Sequence, residues 1–189
     1  GRVMKQALQN CATVDEFEQL LKDMPQPTRL EANFGVIDAE GGAAYFELAN
    51  FHYVKIDAND PAVAPSGYVI RTNYSHTGLM GKGGGYIRYV TASNVFDELV
   101  KSDKLCATQI LQKASRNLTH GLTNDNLWEY ENIPENNDKY VFFVDYIPRR
   151  GSSSSIIIEG VNDIKQAEQT VMWSMLGFPL TTVIIPVWM

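Results

Sequence analysis

Cysteine is scarce in this chain: Cys11 and Cys106 are the only two in 189 residues. So few, so far apart, exclude a disulfide framework and any cysteine-based metal motif. Clustered basic residues are missing as well, and the formal net charge is −6. Nucleic-acid binding draws on grouped Lys and Arg that displace phosphate counterions, so that class of partner is set aside. No apolar run approaches the roughly 18 residues that span a bilayer; the longest, Val183 to Trp188, has the length of a strand. The three histidines, His52, His76 and His120, are too widely spaced for a local metal motif such as His-Glu-x-x-His. The glycine-rich stretch Gly81-Lys-Gly-Gly-Gly85 lacks the spacing of a phosphate loop and reads as a pocket loop or a flexible segment. No cofactor motif or metal-ligand set is found. The first residues contain no apolar h-region, so this sequence carries no signal peptide, which leaves the compartment open.

What is present is ordinary for a globular domain: 44% apolar and 20% charged residues. A chain of this size buries roughly 70% of its unfolded surface, enough for a sizeable core. Neither an internal repeat nor a dividing linker is visible, so a single domain is expected over 1–189. Two short helices are expected over Arg2–Asn10 and Thr13–Met24. In the second, Val14, Phe17, Leu20 and Leu21 share a face, Thr13 and Glu16 form a capping box, and Pro25 and Pro27 end the helix. Ala32–Asp38 and Ala43–Leu48 flank Ala39-Glu-Gly-Gly42, a hairpin signal, and His52–Asp57 extends it as a meander. Tyr68–Thr72 reads as a further strand.

Helices are expected over Tyr86–Ser102 and Leu105–Asn117, then a polar ordered loop over Thr119–Asp138. Tyr140–Tyr146 and Ser154–Glu159 read as paired strands about the turn Pro148-Arg-Arg-Gly151, and Val171–Leu176 and Thr181–Val187 as strands parted by Gly177-Phe-Pro179. Strands grouped around central helices indicate an α+β fold with a mostly antiparallel sheet. The chain stops within the apolar segment Ile184–Met189, which points to truncation or to a terminal strand docked in a sheet. Among single residues, Cys11 and Cys106 read as small buried hydrophobes rather than nucleophiles. Trp128, Trp173 and Trp188 read as core, and Asp38 and Glu47 as turn and surface carboxylates. Arg149-Arg150 reads as a strand-edge turn, with anion binding as the alternative.

Five phrases, in this order and spacing, carry a resemblance: Cys11-Ala-Thr-Val-Asp-Glu-Phe-Glu-Gln-Leu-Leu21, Ala32-Asn-Phe-Gly-Val-Ile-Asp-Ala-Glu-Gly-Gly42, Arg71-Thr-Asn-Tyr-Ser75, Gly85-Tyr-Ile-Arg88 and Ile147-Pro-Arg-Arg-Gly-Ser-Ser-Ser154. Over nearly its whole length the chain resembles the penicillin acyltransferase and choloylglycine hydrolase branch of the N-terminal-nucleophile hydrolases, linear amide C–N hydrolases. The resemblance implies an αββα sandwich, with antiparallel sheets between helical layers. It implies a processed N-terminal cysteine that attacks an amide or thioester carbonyl, its own α-amino group serving as base. The substrate class is then a small acyl-amide or acyl-thioester.

Two positions carry over. Asn73 matches the family asparagine beside the nucleophile, an oxyanion donor. Arg88 matches the arginine near the cysteine, where a guanidinium lowers a thiol pKa or holds a substrate anion. Tyr74, His76 and Tyr86 stand beside them as substrate-binding candidates. The departure is at residue 1, which is Gly rather than a nucleophile. The family's first strands, with the cysteine, would precede this chain, and the chain by itself is then expected to be inactive. A domain without those strands exposes a sheet edge and an apolar face, so a homo-oligomer or a tightly held partner chain is expected. Three readings stay open: part of a hydrolase or acyltransferase, a nucleophile-free homologue that binds a ligand or partner, and one chain of a split enzyme.

Overall fold

A computed structural model describes residues 1–79, 84–129 and 143–188. The fold is α+β with two three-stranded antiparallel sheets. Its elements are α1 (Arg2–Asn10), α2 (Val14–Lys22), β1 (Ala32–Ile37), β2 (Ala43–Leu48), β3 (Tyr53–Asp57), α3 (Tyr86–Lys101), α4 (Ala107–Gln109), β4 (Ser154–Glu159), β5 (Val171–Leu176) and β6 (Ile185–Trp188). The sheets run β1-β2-β3 and β4-β5-β6, each with its middle strand in the centre. No helix among the described residues is long and apolar enough to cross a membrane. Two compact units can be distinguished: one built chiefly from Gly1–Val69 and Ile158–Val171, the other from described residues of Ile70–Ile157 and from Met172–Val187.

In the first unit, the alternation of β2 decides what lies where. Successive strand side chains face opposite sides, and Ala44, Phe46 and Leu48 all point into one cluster with Val3 of α1 and Val14, Phe17 and Leu21 of α2. Phe46 is wholly buried, with the Phe17 ring edge-on at 5.1 Å. The helices therefore lie on one face of the meander. Its register sets Phe34 opposite Phe46, and Phe46 opposite Lys55.

The expected capping box is formed: Glu16 N–H donates to Thr13 Oγ1 and Thr13 N–H to the Glu16 carboxylate, both at 3.2 Å. Asp38 ties the hairpin to the same helix start. It accepts from Val14 N–H at 2.9 Å on one oxygen, and from Glu40 and Gly42 N–H at 2.9 and 2.8 Å on the other. Burial pushes the Asp38 carboxyl up, but these backbone donors outweigh it and hold the group below its ordinary value.

A second strap joins α2 to β3. Glu18 accepts from Lys55 Nζ at 2.9 Å and from Tyr53 OH at 2.8 Å, with Lys22 at 3.1 Å. The hydrogen bonds from Lys55 and Tyr53 take the Glu18 pKa from 4.5 to about 2. A depressed carboxylate stabilises the fold in full above its ordinary value and loses that contribution as pH falls through the folded value. The strap should therefore weaken between pH 4.5 and about 2. Solvent screening leaves it worth about 1 kcal/mol. Glu18→Gln is expected to lower stability by that amount at pH 7 and by almost nothing near pH 2. Urea midpoints across this range check it, and an unchanged difference between the two proteins at both ends would contradict it.

Several expectations are corrected. Tyr68–Thr72 forms no strand. Two of its side chains bond elsewhere: Arg71 Nη1 donates to the adjacent Ile70 O, and Thr72 Oγ1 to Gly85 O, 13 residues away. Of the expected strand Tyr140–Tyr146, residues 140–142 lie outside the described ones, and 143–146 are turn and bend. There the Val144 carbonyl is taken by Arg88 rather than by a ladder partner, and β4 pairs with β5.

The helix expected over Leu105–Asn117 is α-helical only at Ala107–Gln109, then widens to a π turn over Ile110–Ala114, closed by Ser115 N–H reaching back to Ile110 O. The last strand is shorter than expected, because Arg116 binds the carbonyls of Pro179 and Thr182 at 2.9 and 2.8 Å and fixes the approach to β6 as loop. Of the polar segment Thr119–Asp138, the described part holds a bridge, Thr119 with Asn126, and a single 3-10 turn, Leu127–Glu129.

The tryptophans are not core. Trp128 and Trp188 are exposed and Trp173 is half-buried; the Trp128 indole N–H is satisfied by Arg116 O. Cys106 is exposed and Cys11 half-buried. Glu47 is buried rather than superficial, because it lies mid-strand on β2 between Asn33 and Val54, on the face opposite Phe46.

Candidate functional site

The site begins with a glycine. Gly85 caps α3 with φ +93°, a left-handed conformation that side chains other than glycine resist. A Cβ there would also lie 2.8 Å from Arg88 Nη2 and 3.1 Å from both Asn73 N and Thr72 Oγ1. Only a bare backbone lets residues 72–73 come this close to the start of the helix. Thr72 Oγ1 fastens the approach, donating to Gly85 O at 2.9 Å and accepting from Tyr74 N–H at 3.3 Å.

Arg88 follows in the first turn of α3, with 8% of its surface exposed. Positive charge at a helix N-terminus opposes the helix dipole, and burial raises the cost further. Arg88 is held there by two uncharged oxygens: Nη2 donates to Asn73 Oδ1 at 2.8 Å, and Nη1 to Val144 O at 3.0 Å. Burial, with a smaller push from nearby Arg149, moves the Arg88 pKa down, and Asp145 offsets part of this. An arginine remains a cation throughout this range. The result is a desolvated positive charge whose hydrogen bonds, among the described residues, go only to neutral groups. Such a charge favours an anion nearby.

Tyr74, next to Asn73 in sequence, belongs to an aromatic group. The Tyr74 ring meets Tyr86 at 5.3 Å and His76 at 5.2 Å, and His76 meets Tyr89 edge-on at 4.6 Å. The residues singled out from the sequence thus fall into two linked sets, Asn73 with Arg88 by a hydrogen bond, and Tyr74, His76 and Tyr86 by ring contact. Asn73 follows a segment, Tyr68–Thr72, that is not a strand. Sequence reasoning missed Gly85, Val144 and Tyr89. Tyr89 was within reach, since it sits three residues after Tyr86 on one helix face. Val144 was not, since a carbonyl acceptor has no side-chain signal. Gly85 belongs to a stretch read as a pocket loop or as plain flexibility, yet its own conformation is one the site requires.

The Cys11 thiol offers little nucleophilic character. Burial, and then the Glu16 carboxylate, push the Cys11 thiol up, away from thiolate. Cys106 is exposed and precedes the single turn of α4. Among the described residues no cluster of three or more His, Cys, Asp or Glu is placed to hold a metal ion. Arg149 and Arg150 lie in a turn closed by Ser152, whose N–H donates to Arg149 O at 2.8 Å and whose Oγ accepts from Arg149 N–H at 3.1 Å. Compared with known proteins, the chain matches no family model, no curated protein and no solved structure.

Proposed function

We propose that this chain supplies the anion-stabilising part of a cysteine-type N-terminal-nucleophile amide hydrolase or acyltransferase, within an αββα sandwich, and that the nucleophile comes from outside its own two cysteines. The observation that carries this reading is the Arg88–Asn73 contact at 2.8 Å. It joins the two residues that the resemblance picks out, 15 positions apart, at a desolvated cation beside an exposed amide.

In such a reaction a cysteine sulfur bonds to the acyl carbon, and the carbonyl π electrons move onto oxygen. Asn73 Nδ2–H donates to that oxyanion. The C–N bond then breaks, and the amine leaves with the proton that the thiol gave up to the α-amino group. Water or a second amine takes the acyl group from sulfur and regenerates the thiol. Tyr74, His76 and Tyr86 line the approach for the acyl or amine portion.

A nucleophile-free binding protein is the second reading, favoured by the raised Cys11 thiol. One experiment separates the two. Release of free amine is measured over a panel of penicillin-type amides, bile-salt amides and acyl amino acids, with the chain alone and with a cysteine-bearing upstream segment joined in cis or added as a second chain. The chain alone is expected to stay at background. The completed protein is expected to turn over and to lose activity on thiol alkylation. Turnover by the chain alone, abolished by alkylation, would make Cys11 or Cys106 the nucleophile and overturn the proposal. A completed protein that binds acyl amides but never forms an acyl-thioester, read by mass spectrometry, would favour the binding reading.

A further inference from the structure

Arginine has five N–H donors and no acceptor. The atom of Asn73 that faces Arg88 Nη2 at 2.8 Å must therefore be the carbonyl Oδ1. Asparagine amides are ordinarily ambiguous as to which end is oxygen, but a guanidinium partner removes the ambiguity. With Oδ1 fixed inward, Nδ2 points away from Arg88, and among the described residues nothing accepts from it. The outward end of Asn73 is thus donor only.

Arg88 is itself immobilised. Val144 O holds its second terminal nitrogen at 3.0 Å, only 8% of its surface is exposed, and Nη2 lies so near Gly85 that a Cβ there would come within 2.8 Å of it. A neutral side chain in place of Arg88 would leave the Asn73 amide free to present either end.

We infer that Arg88 is a positioning residue that acts through Asn73: it locks the amide with its N–H2 group outward and polarises it as a donor, rather than touching the substrate. A donor bond into Oδ1 draws electron density from the amide and strengthens the hydrogen bonds that the opposite N–H2 group donates. The cation's contribution reaches the anion through the asparagine. This assignment rests on the proposed site for its catalytic meaning, but the orientation itself is independent of any activity.

The test is side-chain NMR of the full 189-residue chain, labelled with 15N. The two Asn73 Nδ2 protons are expected to be well separated and slow to exchange places. Arg88→Met is expected to draw them toward the averaged shifts of a free asparagine, and Arg88→Lys to leave them between the two. The reciprocal measurement guards against a misfolded Arg88→Met. Asn73 is exposed, so Asn73→Ala should fold, and it is expected to release Arg88 Nη2 and broaden its resonance by faster rotation. Asn73 signals unchanged in Arg88→Met, or Arg88 signals unchanged in Asn73→Ala, would overturn the inference.

In the completed enzyme, Arg88→Met is expected to lower kcat about 100-fold at nearly constant KM, as loss of one oxyanion donor does. Arg88→Lys should restore part of it. A rise in KM with kcat intact would mean that Arg88 binds substrate directly and would also overturn the inference. NMR shifts as expected in a completed protein without activity would leave the positioning role standing and the proposed function refuted.

Discussion

Phe46→Ala is expected to destabilise the first unit by about 3–5 kcal/mol, the usual range for a fully buried phenylalanine. Phe46 has no exposed surface and lies in the central strand of its sheet. Its ring is edge-on to Phe17 of α2 at 5.1 Å and tilted to Tyr53 of β3 at 5.9 Å. Truncation removes a side chain that both a helix and a neighbouring strand pack on. Helix-to-sheet packing then has no replacement atoms, because β2 is paired on both sides and cannot collapse into the gap. Midpoint temperature should fall by roughly 10 °C for a chain of this length. Phe51, 72% exposed in the β2–β3 turn, is the control, and Phe51→Ala should change stability by no more than about 0.5 kcal/mol. Equal midpoints for the two variants would mean that β2 is not the centre of this core.

The parts of the fold legible in the sequence are those fixed by local chemistry. A capping box needs only Thr13 and Glu16, three residues apart, and the α2 face needs only its own 3.6-residue period. The β1–β2 hairpin is set by Ala39-Glu-Gly-Gly42 and by the alternation on either side, and its register follows from the turn. What was illegible depends on partners distant in sequence. Tyr68–Thr72 has strand composition, but a strand exists only where a second one pairs with it, and Thr72 is bonded to Gly85 instead. Residues 143–146 are apolar enough for a strand, yet Arg88 claims the Val144 carbonyl. The π turn at Ile110–Ala114 and the exposed indoles of Trp128 and Trp188 have no counterpart in periodicity or composition.

Five side chains of the candidate site were legible; Gly85, Val144, Tyr89 and the wiring between them were not. Asn73 and Arg88 came from a resemblance of phrases, as two separate roles, a donor and a cation. Their contact turns on Gly85, whose conformation cannot be read from a run of glycines. It also reverses the expectation for an arginine that opens a helix, which ordinarily faces solvent. The buried guanidinium makes the exposed asparagine the group that a ligand would meet first.

Asn73→Ala is expected to lower kcat of the cysteine-completed protein by about 100-fold or more, with KM nearly unchanged, because an oxyanion donor acts in the transition state and little in the ground state. The change should leave the fold intact, since Asn73 is exposed and only one side-chain hydrogen bond is lost. Asn73→Asp sharpens the argument. A carboxylate of the same shape would still accept from Arg88 Nη2, now as a charge-assisted bond to a desolvated cation, so this variant should be at least as stable as the natural chain. It has lost the outward N–H2 group, however, and sets a negative charge where the oxyanion would form. Its kcat should fall at least as far as that of Asn73→Ala. Activity and stability thus move in opposite directions in Asn73→Asp, which a purely structural asparagine would not produce. Denaturation midpoints beside steady-state kinetics on one acyl amide give the answer. Either variant turning over within threefold of the natural sequence would remove Asn73 from the chemistry.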